Sequence, residues 1–208
     1  MRTLWILGAG GHAKVVIATA RAAGFADIEV ADDRENRWGE TLLGCTIRGP
    51  VGAVLERPDA LAVLAIGSNA TRYQLAARAR CELANIVHPA TVVDPTVTMG
   101  AGTVVFAGAI IQPDSRLGTN VIVNTGALVD HDASIGDAVH LAPGTRLAGS
   151  VTLEDGVFMG IGASIIPGCR VGAWATIGAG AVVINDLAAG ITAVGAPARP
   201  AGSGRTRR

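Results

Sequence analysis

From Ile86 to Arg199 the hydrophobic positions recur every sixth residue without insertion. Every sixth residue from Val87 through Val105, Val123, Leu141 and Met159 to Val183 gives seventeen positions, all aliphatic or methionine. Two residues before each stands a small or β-branched side chain, as at Thr91, Ala109, Ala127, Ala133, Thr145, Ala163, Cys169, Ala175 and Ala181. A period of six with alternation inside each block fits a strand-turn repeat and no helix. Such blocks build parallel β-helices, in which stacked neighbours bury a continuous core. Three blocks close a coil, so residue i+18 is expected about 4.8 Å above residue i.

Alternation turns the residue before each buried aliphatic outward. One outward column reads Ile86, Val104, Ile122, His140, Phe158, Thr176, and a second reads Val92, Ile110, Leu128, Arg146, Ser164, Val182. The third, Thr98, Arg116, Ser134, Thr152, Arg170, is polar. Exposed apolar columns of this extent mark interfaces, and two apolar faces beside one wet face suit a trimer of prisms. On this reading His140 lies at a subunit contact.

The pattern before residue 85 is different. Thr3–Leu7 reads as a strand, Gly8-Ala9-Gly10-Gly11-His12 as a glycine turn, and Ala13–Ala23 as a helix. Further strands are expected over Asp27–Val30 and Leu61–Ile66, then a helix over Ala70–Leu83 with Asn69 as its N-cap. Residues 1–84 therefore read as a small α/β domain with a parallel sheet, residues 85–199 as the β-helix, and residues 200–208 as a disordered tail. Open α/β sheets place ligands at the carboxyl ends of their strands, which collects Gly10, His12, Asp32, Asp33, Gly67 and Asn69. The turn matches Gly-x-Gly-x-x-Ala, short of the full dinucleotide fingerprint. Its glycines admit a pyrophosphate to a helix N-terminus, and Asp32 or Asp33 stands where a sugar hydroxyl could be accepted. A domain of this size holds half the sheet a dinucleotide spans, so a nucleotide or nucleotide-sugar is the expected ligand.

Seventeen basic and seventeen acidic residues cancel, which argues against nucleic acid or an anionic membrane as the main partner. Cys45, Cys81 and Cys169 are odd in number and lack metal-site spacing, so reduced structural thiols and no metal are expected. The chain enters a strand directly from Arg2 with no apolar leader, and no segment reaches the length of a membrane span; a cytoplasmic protein is expected.

Candidate chemistry lies where the repeat is broken. The corner column Pro95, Pro113, His131, Gly149, Pro167 is proline or glycine except at His131. Proline suits a corner that needs no ladder donor, so a histidine there has no evident packing role. Asp130 and Asp132 flank it, and a carboxylate on one ring nitrogen makes the other a better base; which aspartate does so is open at this point. Gly149, one coil above, could aim its N–H at an oxyanion forming beside that base. His88, next to Pro89, reads as structural.

The Gly-Ala-Gly-Gly-His turn, Asp32-Asp33, Ile66-Gly67-Ser68-Asn69, Asn124-Thr125, Asp130-His131-Asp132, His140 and Val194-Gly195-Ala196-Pro197-Ala198-Arg199 together resemble the sialic-acid O-acetyltransferase family. That family includes bacterial N-acetyltransferases of nucleotide-linked 4-amino sugars. The resemblance spans nearly the whole chain. It implies an N-terminal Rossmann-like domain followed by a left-handed parallel β-helix, a homotrimer, and acetyl-CoA in the groove between prisms. It further implies His131 as general base oriented by Asp132, with His140 and the Gly149 amide on the acetyl thioester. Ile161 and Ala179 would line the coenzyme groove, and Gly10, Gly11, His12, Asp32, Asp33 and Gly67 would hold the nucleotide-sugar. The expected reaction is direct N-acetylation of a 4-amino group, without an acyl-enzyme. Alternatives are O-acetylation of sialic acid or a related hydroxyl, a non-catalytic nucleotide-binding scaffold, and an NAD-binding regulator. A γ-type carbonic anhydrase is disfavoured, because His131 and His140 are half a coil apart with no third histidine beside them.

Overall fold

A computed structural model describes residues 2–201. The N-terminal part is a six-stranded sheet. Its strands are β1 (Leu4–Leu7), β2 (Ile28–Ala31), β3 (Thr41–Leu42), β4 (Cys45–Arg48), β5 (Leu61–Leu64) and β6 (Glu82–Leu83), in the order β3-β4-β2-β1-β5-β6. All pairings are parallel except β3 with β4. β1 is paired on one side with β2 and on the other with β5, so the chain order reverses beside it, and a crevice opens outside its carboxyl end.

Helices α1 (Gly11–Ala22), α2 (Val51–Leu55) and α3 (Asn69–Arg78) cover the sheet. The strand and first-helix expectations hold to within two residues, but four features differ. The β3–β4 hairpin, which turns on Leu43 and Gly44 with φ of 50° and 76°, was not expected, and neither was α2. The helix expected to run to Leu83 stops at Arg78, because the Arg80 and Cys81 N–H groups both turn to the Leu55 carbonyl and Glu82–Leu83 then joins the sheet. The N-cap of α3 is Ser68, whose Oγ accepts from the Thr71 N–H at 3.3 Å, and Asn69 is freed for another task.

Beyond β6 the chain enters a left-handed parallel β-helix with no intervening linker: the Ala84 N–H still bonds the N-terminal sheet and the Ile86 N–H already bonds Thr103. Two-residue strands stack into three parallel sheets, every rung pairing residue i with i+18 up to Thr176. The first sheet then closes with Thr192–Val194, paired sixteen residues on from Thr176. From Val105 to Val183 each expected core aliphatic is buried, and Val87, Val93 and Met99 are half-buried at the open end. Residues 200 and 201, expected in the tail, pair back onto Ala193 and Thr192; the rest of that tail lies outside the described residues.

From residue 102 to residue 180, one residue in each block sits in the left-handed region, at φ of 53–75°. Gly102, Gly108, Asp114, Asn120, Gly126, Asp132, Ala138, Gly144, Ser150, Gly156, Gly162, Gly168, Trp174 and Gly180 form an unbroken six-residue series. Gly, Asn and Asp are the residues that reach this region cheaply, which explains most of the column. Ala138 and Trp174 adopt it against their preference, held by what packs on them.

The apolar column of the first sheet is covered by this chain's own N-terminal part, not by another subunit. Ile86, Val104 and Ile122 are buried in one cluster with Ala13, Val16 and Ile17 of α1. The second-sheet column stays open, with Val92 63% exposed.

Leu141 lies mid-prism and fully buried. Leu141→Ala is expected to cost about 2–5 kcal/mol by leaving a cavity that stacked coils cannot close, measured as a fall in denaturant midpoint at unchanged slope.

Candidate active site

The corner at His131 lies between the second and third sheets, opposite the face covered by the N-terminal sheet. The His131 Nδ1 is 2.8 Å from Asp132 Oδ2, whereas Asp130 Oδ1 accepts the His131 main-chain N–H at 2.8 Å. Asp132 is therefore the carboxylate on the ring. Its left-handed φ of 58° folds the short side chain back onto the preceding residue. With Nδ1–H directed at Asp132, the lone pair lies on Nε2. The Asp132 hydrogen bond foremost, and the Asp130 charge after it, raise the His131 pKa above its ordinary value.

Gly149 sits under that imidazole. A Cβ there would lie 2.5 Å from Cε1 and 2.6 Å from Nε2 of His131, so only glycine lets the ring lie across the next coil. The same corner position is proline on three other rungs, because no ladder bond uses its N–H. Among the described residues the Gly149 N–H has no hydrogen-bond partner. A base nitrogen and a free backbone donor are thus held side by side.

The second cluster lies at the carboxyl end of β1. Gly10, Gly11, His12, Asp32, Asp33 and Gly67 all line one cleft of about 440 Å³, together with Gly8, Arg34, Val51 and Ile66. No atom lies within 4 Å of a Cβ built on Gly10 or Gly11, so packing does not demand these glycines; they leave room for a ligand. Gly10 caps α1 without a side-chain bond, which leaves first-turn N–H groups facing the cleft. Asp32 is already engaged: it accepts from Ala9 N–H at 2.7 Å, Arg34 N–H at 3.1 Å, and the Arg34 guanidinium at 2.7 and 3.1 Å. The guanidinium, with the Ala9 N–H, holds its pKa near 2 against the opposing effect of burial. Asp33 gives one oxygen to the Val51 N–H at 2.9 Å and is exposed, so it is the freer of the two to meet a hydroxyl. Arg34, not singled out from the sequence, adds the cleft's cation.

His140 is 8% exposed, covered by this chain's own N-terminal part. The expected subunit contact is replaced by an intrachain one, because the first-sheet face carries α1 and the residue 66–69 loop. Its ring lies 5.2 Å from Phe158 and 6.1 Å from His12. The Thr125 N–H bonds Asn124 Oδ1 at 2.8 Å, which leaves Asn124 Nδ2 to donate to His140 Nε2 at 3.2 Å. Burial, with Arg72 and then His12 adding repulsion, pushes the His140 pKa down to about 3. Burial and Arg72 push His12 to about 4. Both imidazoles are neutral at pH 7.

His140 and Gly149, expected to act together on one thioester, are therefore not brought together within a chain. Ile161 and Ala179 stack one coil apart at the corner between the first and second sheets, both exposed. His131 and Gly149 occupy the other corner of the second sheet. The edges of that open apolar face carry the two halves of the expected coenzyme site.

Residues 3–79 match the model of the PglD N-terminal domain. Among solved structures, a histidine variant of perosamine N-acetyltransferase from Caulobacter crescentus, in complex with CoA and GDP-perosamine, superposes with a TM-score of 0.92. Its identity is 38%, over 98% of each chain. The acetyltransferase domain of PglB from Neisseria gonorrhoeae FA1090, in complex with acetyl coenzyme A, gives 0.91 and 36% over 96% of this chain and 99% of that one. WeeI from Acinetobacter baumannii AYE gives 0.87 and 26%, over 97% of this chain and all of that one. Among curated proteins none matches. The prism and the glycine-turn sheet define a hexapeptide-repeat acyltransferase. Within that class, the chain belongs to the family of nucleotide-sugar acetyltransferases.

In an NMR titration, His131 is expected to titrate above the unperturbed value of about 6.5, and Asp132→Asn should bring it down. His12 and His140 should show no protonation above pH 5.

Proposed function

We propose that the protein transfers the acetyl group of acetyl-CoA to the 4-amino group of a nucleotide-linked 4-amino-4,6-dideoxy sugar. The observation that carries this reading is the His131 imidazole, fixed by Asp132 and lying across Gly149 with Nε2 unengaged. A neutral imidazole of this kind takes the proton as the amine nitrogen attacks the thioester carbonyl. The tetrahedral oxyanion then forms within reach of the Gly149 N–H, and collapse expels the CoA thiolate, which leaves protonated. No acyl-enzyme is required: the three cysteines are buried, including Cys169, which lies on this same corner one coil beyond Gly149.

The nucleotide-sugar is held in the β1 cleft, its pyrophosphate at the α1 N-terminus with Arg34 adding charge, and Asp33 taking a ribose hydroxyl. His12 and His140, kept neutral, hydrogen-bond the sugar end. Acetyl-CoA lies along the edges of the second sheet, against Ile161 and Ala179. Because these edges are opposite corners of one prism face, and His131 faces away from its own chain's cleft, the site is completed by a second copy. A homotrimer joined through the open second-sheet face satisfies this, burying Val92, Ile110, Leu128 and Val182. Perosamine N-acetyltransferase, with its CoA and GDP-perosamine, supports the acceptor class.

The test is thiol release from acetyl-CoA with UDP-, GDP- and dTDP-linked 4-amino-4,6-dideoxy sugars. Release is expected with one of them, and His131→Ala should lower it by about 10²–10⁴-fold, the range for removal of a general base. Since the base must be neutral, kcat/KM should rise with pH through the raised His131 pKa and level off above it. Asp132→Asn should move that limb to lower pH. Release that is indifferent to His131, or confined to hydroxyl acceptors such as sialic acid, would refute this reading.

A further inference from the structure

The corner between the third and first sheets carries Asn120, Ala138, Gly156 and Trp174, one per coil and all left-handed. In the ladder bonds of the β-helix the N–H of each is used, to Ala101, Thr119, Asp137 and Asp155 respectively, but no backbone N–H reaches their carbonyls. Elsewhere such carbonyls can turn to water; along this corner α3 covers those of the buried residues Asn120, Ala138 and Gly156, and a buried acceptor must find a donor.

The first turn of α3 supplies donors rung by rung. Arg72 is 1% exposed, donates from Nε to the Asn120 carbonyl at 2.9 Å, and from Nη2 to the Ala138 carbonyl at 2.6 Å. Asn69 Nδ2 donates to the Gly156 carbonyl at 3.0 Å and the Val157 carbonyl at 3.1 Å. Tyr73 meets Trp174 edge to face, ring centroids 5.5 Å apart. Four consecutive coils are contacted by three neighbouring residues of one helix. The same guanidinium reaches back with Nη1 to the Ile66 carbonyl at 2.9 Å and with Nη2 to Asn69 Oδ1 at 3.0 Å. Ile66 and Gly67 are walls of the cleft. Among the described residues Arg72 has no carboxylate partner, so its charge is met by carbonyl dipoles. An ordinary core position would not tolerate that cost without a return.

We propose that Arg72 is a positioning residue, which with Asn69 fixes the height of the nucleotide-sugar cleft on the prism and so the placement of the sugar amine. It acts through the Ile66–Gly67 wall and touches no reacting atom. The proposal rests on the acetyltransferase reading for its kinetic test, but the geometry predicts a binding effect that does not need turnover. A slip of one rung, about 4.8 Å, would carry the cleft past His140 altogether, and smaller tilts already misplace the amine.

The experiment compares wild type with Arg72→Met, Arg72→Lys and Asn69→Ala in the full chain, each checked for folding by circular dichroism. Arg72→Met is expected to raise KM for the nucleotide-sugar by about tenfold or more and to lower kcat, while KM for acetyl-CoA stays within about twofold, as misplacement of one substrate predicts. Arg72→Lys, which keeps the charge but reaches fewer carbonyls, should fall between, and Asn69→Ala, which frees one rung, should raise the same KM by about threefold. Calorimetric affinity for whichever of UDP, GDP and dTDP the wild type binds should fall in parallel in the folded variants. If wild type binds one of these nucleotides but acetylates no amino sugar, the acetyltransferase reading fails while this comparison still decides the role of Arg72. Folded variants with both KM values and nucleotide affinity unchanged, or with both KM values raised alike, would overturn the proposal, as would a wild type that binds none of the three nucleotides. Should Arg72→Met not fold, the Lys and Asn69 variants carry the test.

Discussion

From residue 102 to residue 180, turning a parallel strand through a corner every six residues places one residue per block in left-handed backbone and removes its carbonyl from the ladder. Much of the molecule follows from that constraint. It explains the predominance of glycine and aspartate in the left-handed column on the solvent corners, where the strain of an ordinary side chain, about 1–2 kcal/mol per residue, is avoided. On the corner against α3 it leaves buried carbonyls for Arg72 and Asn69. At residue 132 it bends an aspartate back onto the histidine before it. The site and the domain junction are two uses of the same corner geometry.

The prism was legible because its signal is redundant. Seventeen apolar positions in one register leave a single consistent stacking, and the i+18 pairing follows from it. Gly10, His12, Asp32, Asp33 and Gly67 were legible because each follows a strand whose parallel order is determined by the surrounding pattern, whereas Asn69, expected at the same edge, is not part of the cleft lining and turns to the prism instead. What was not legible is what the two parts do to each other. An apolar column shows that something covers it, not whether the cover is another chain or a preceding domain, so His140 was assigned to the wrong kind of interface. Arg72 sits in an undistinguished stretch, Asn69-Ala70-Thr71-Arg72, and its partners are backbone carbonyls 48 and 66 residues away. Only the left-handed column, a Gly, Asn or Asp three residues after most core aliphatics, carried a signal for the corner that could have been read.

Electrostatics separate the histidines by location. His131 is exposed, paired with Asp132, and has its pKa raised. His12 and His140 are buried beside an unpaired guanidinium and pushed far below neutrality. A raised, hydrated imidazole exchanges protons with substrate and water, and a desolvated neutral one serves as a fixed hydrogen-bonding surface. The division matches a base at one corner and a sugar-contacting wall at the opposite face.

One chain's cleft and its own His131 face different sides of the prism, so the proposed reaction requires the cleft of one copy to meet the histidine of another. The direct measurement is turnover in a hybrid of two inactive variants, His131→Ala and Gly11→Phe, the second filling the cleft where no atom crowds a new side chain. Co-assembled chains are predicted to regain a substantial fraction of wild-type acetylation, because the His131→Ala chain still offers an intact cleft to the histidine of its neighbour. Hybrids as inactive as either parent, with assembly confirmed, would contradict the account.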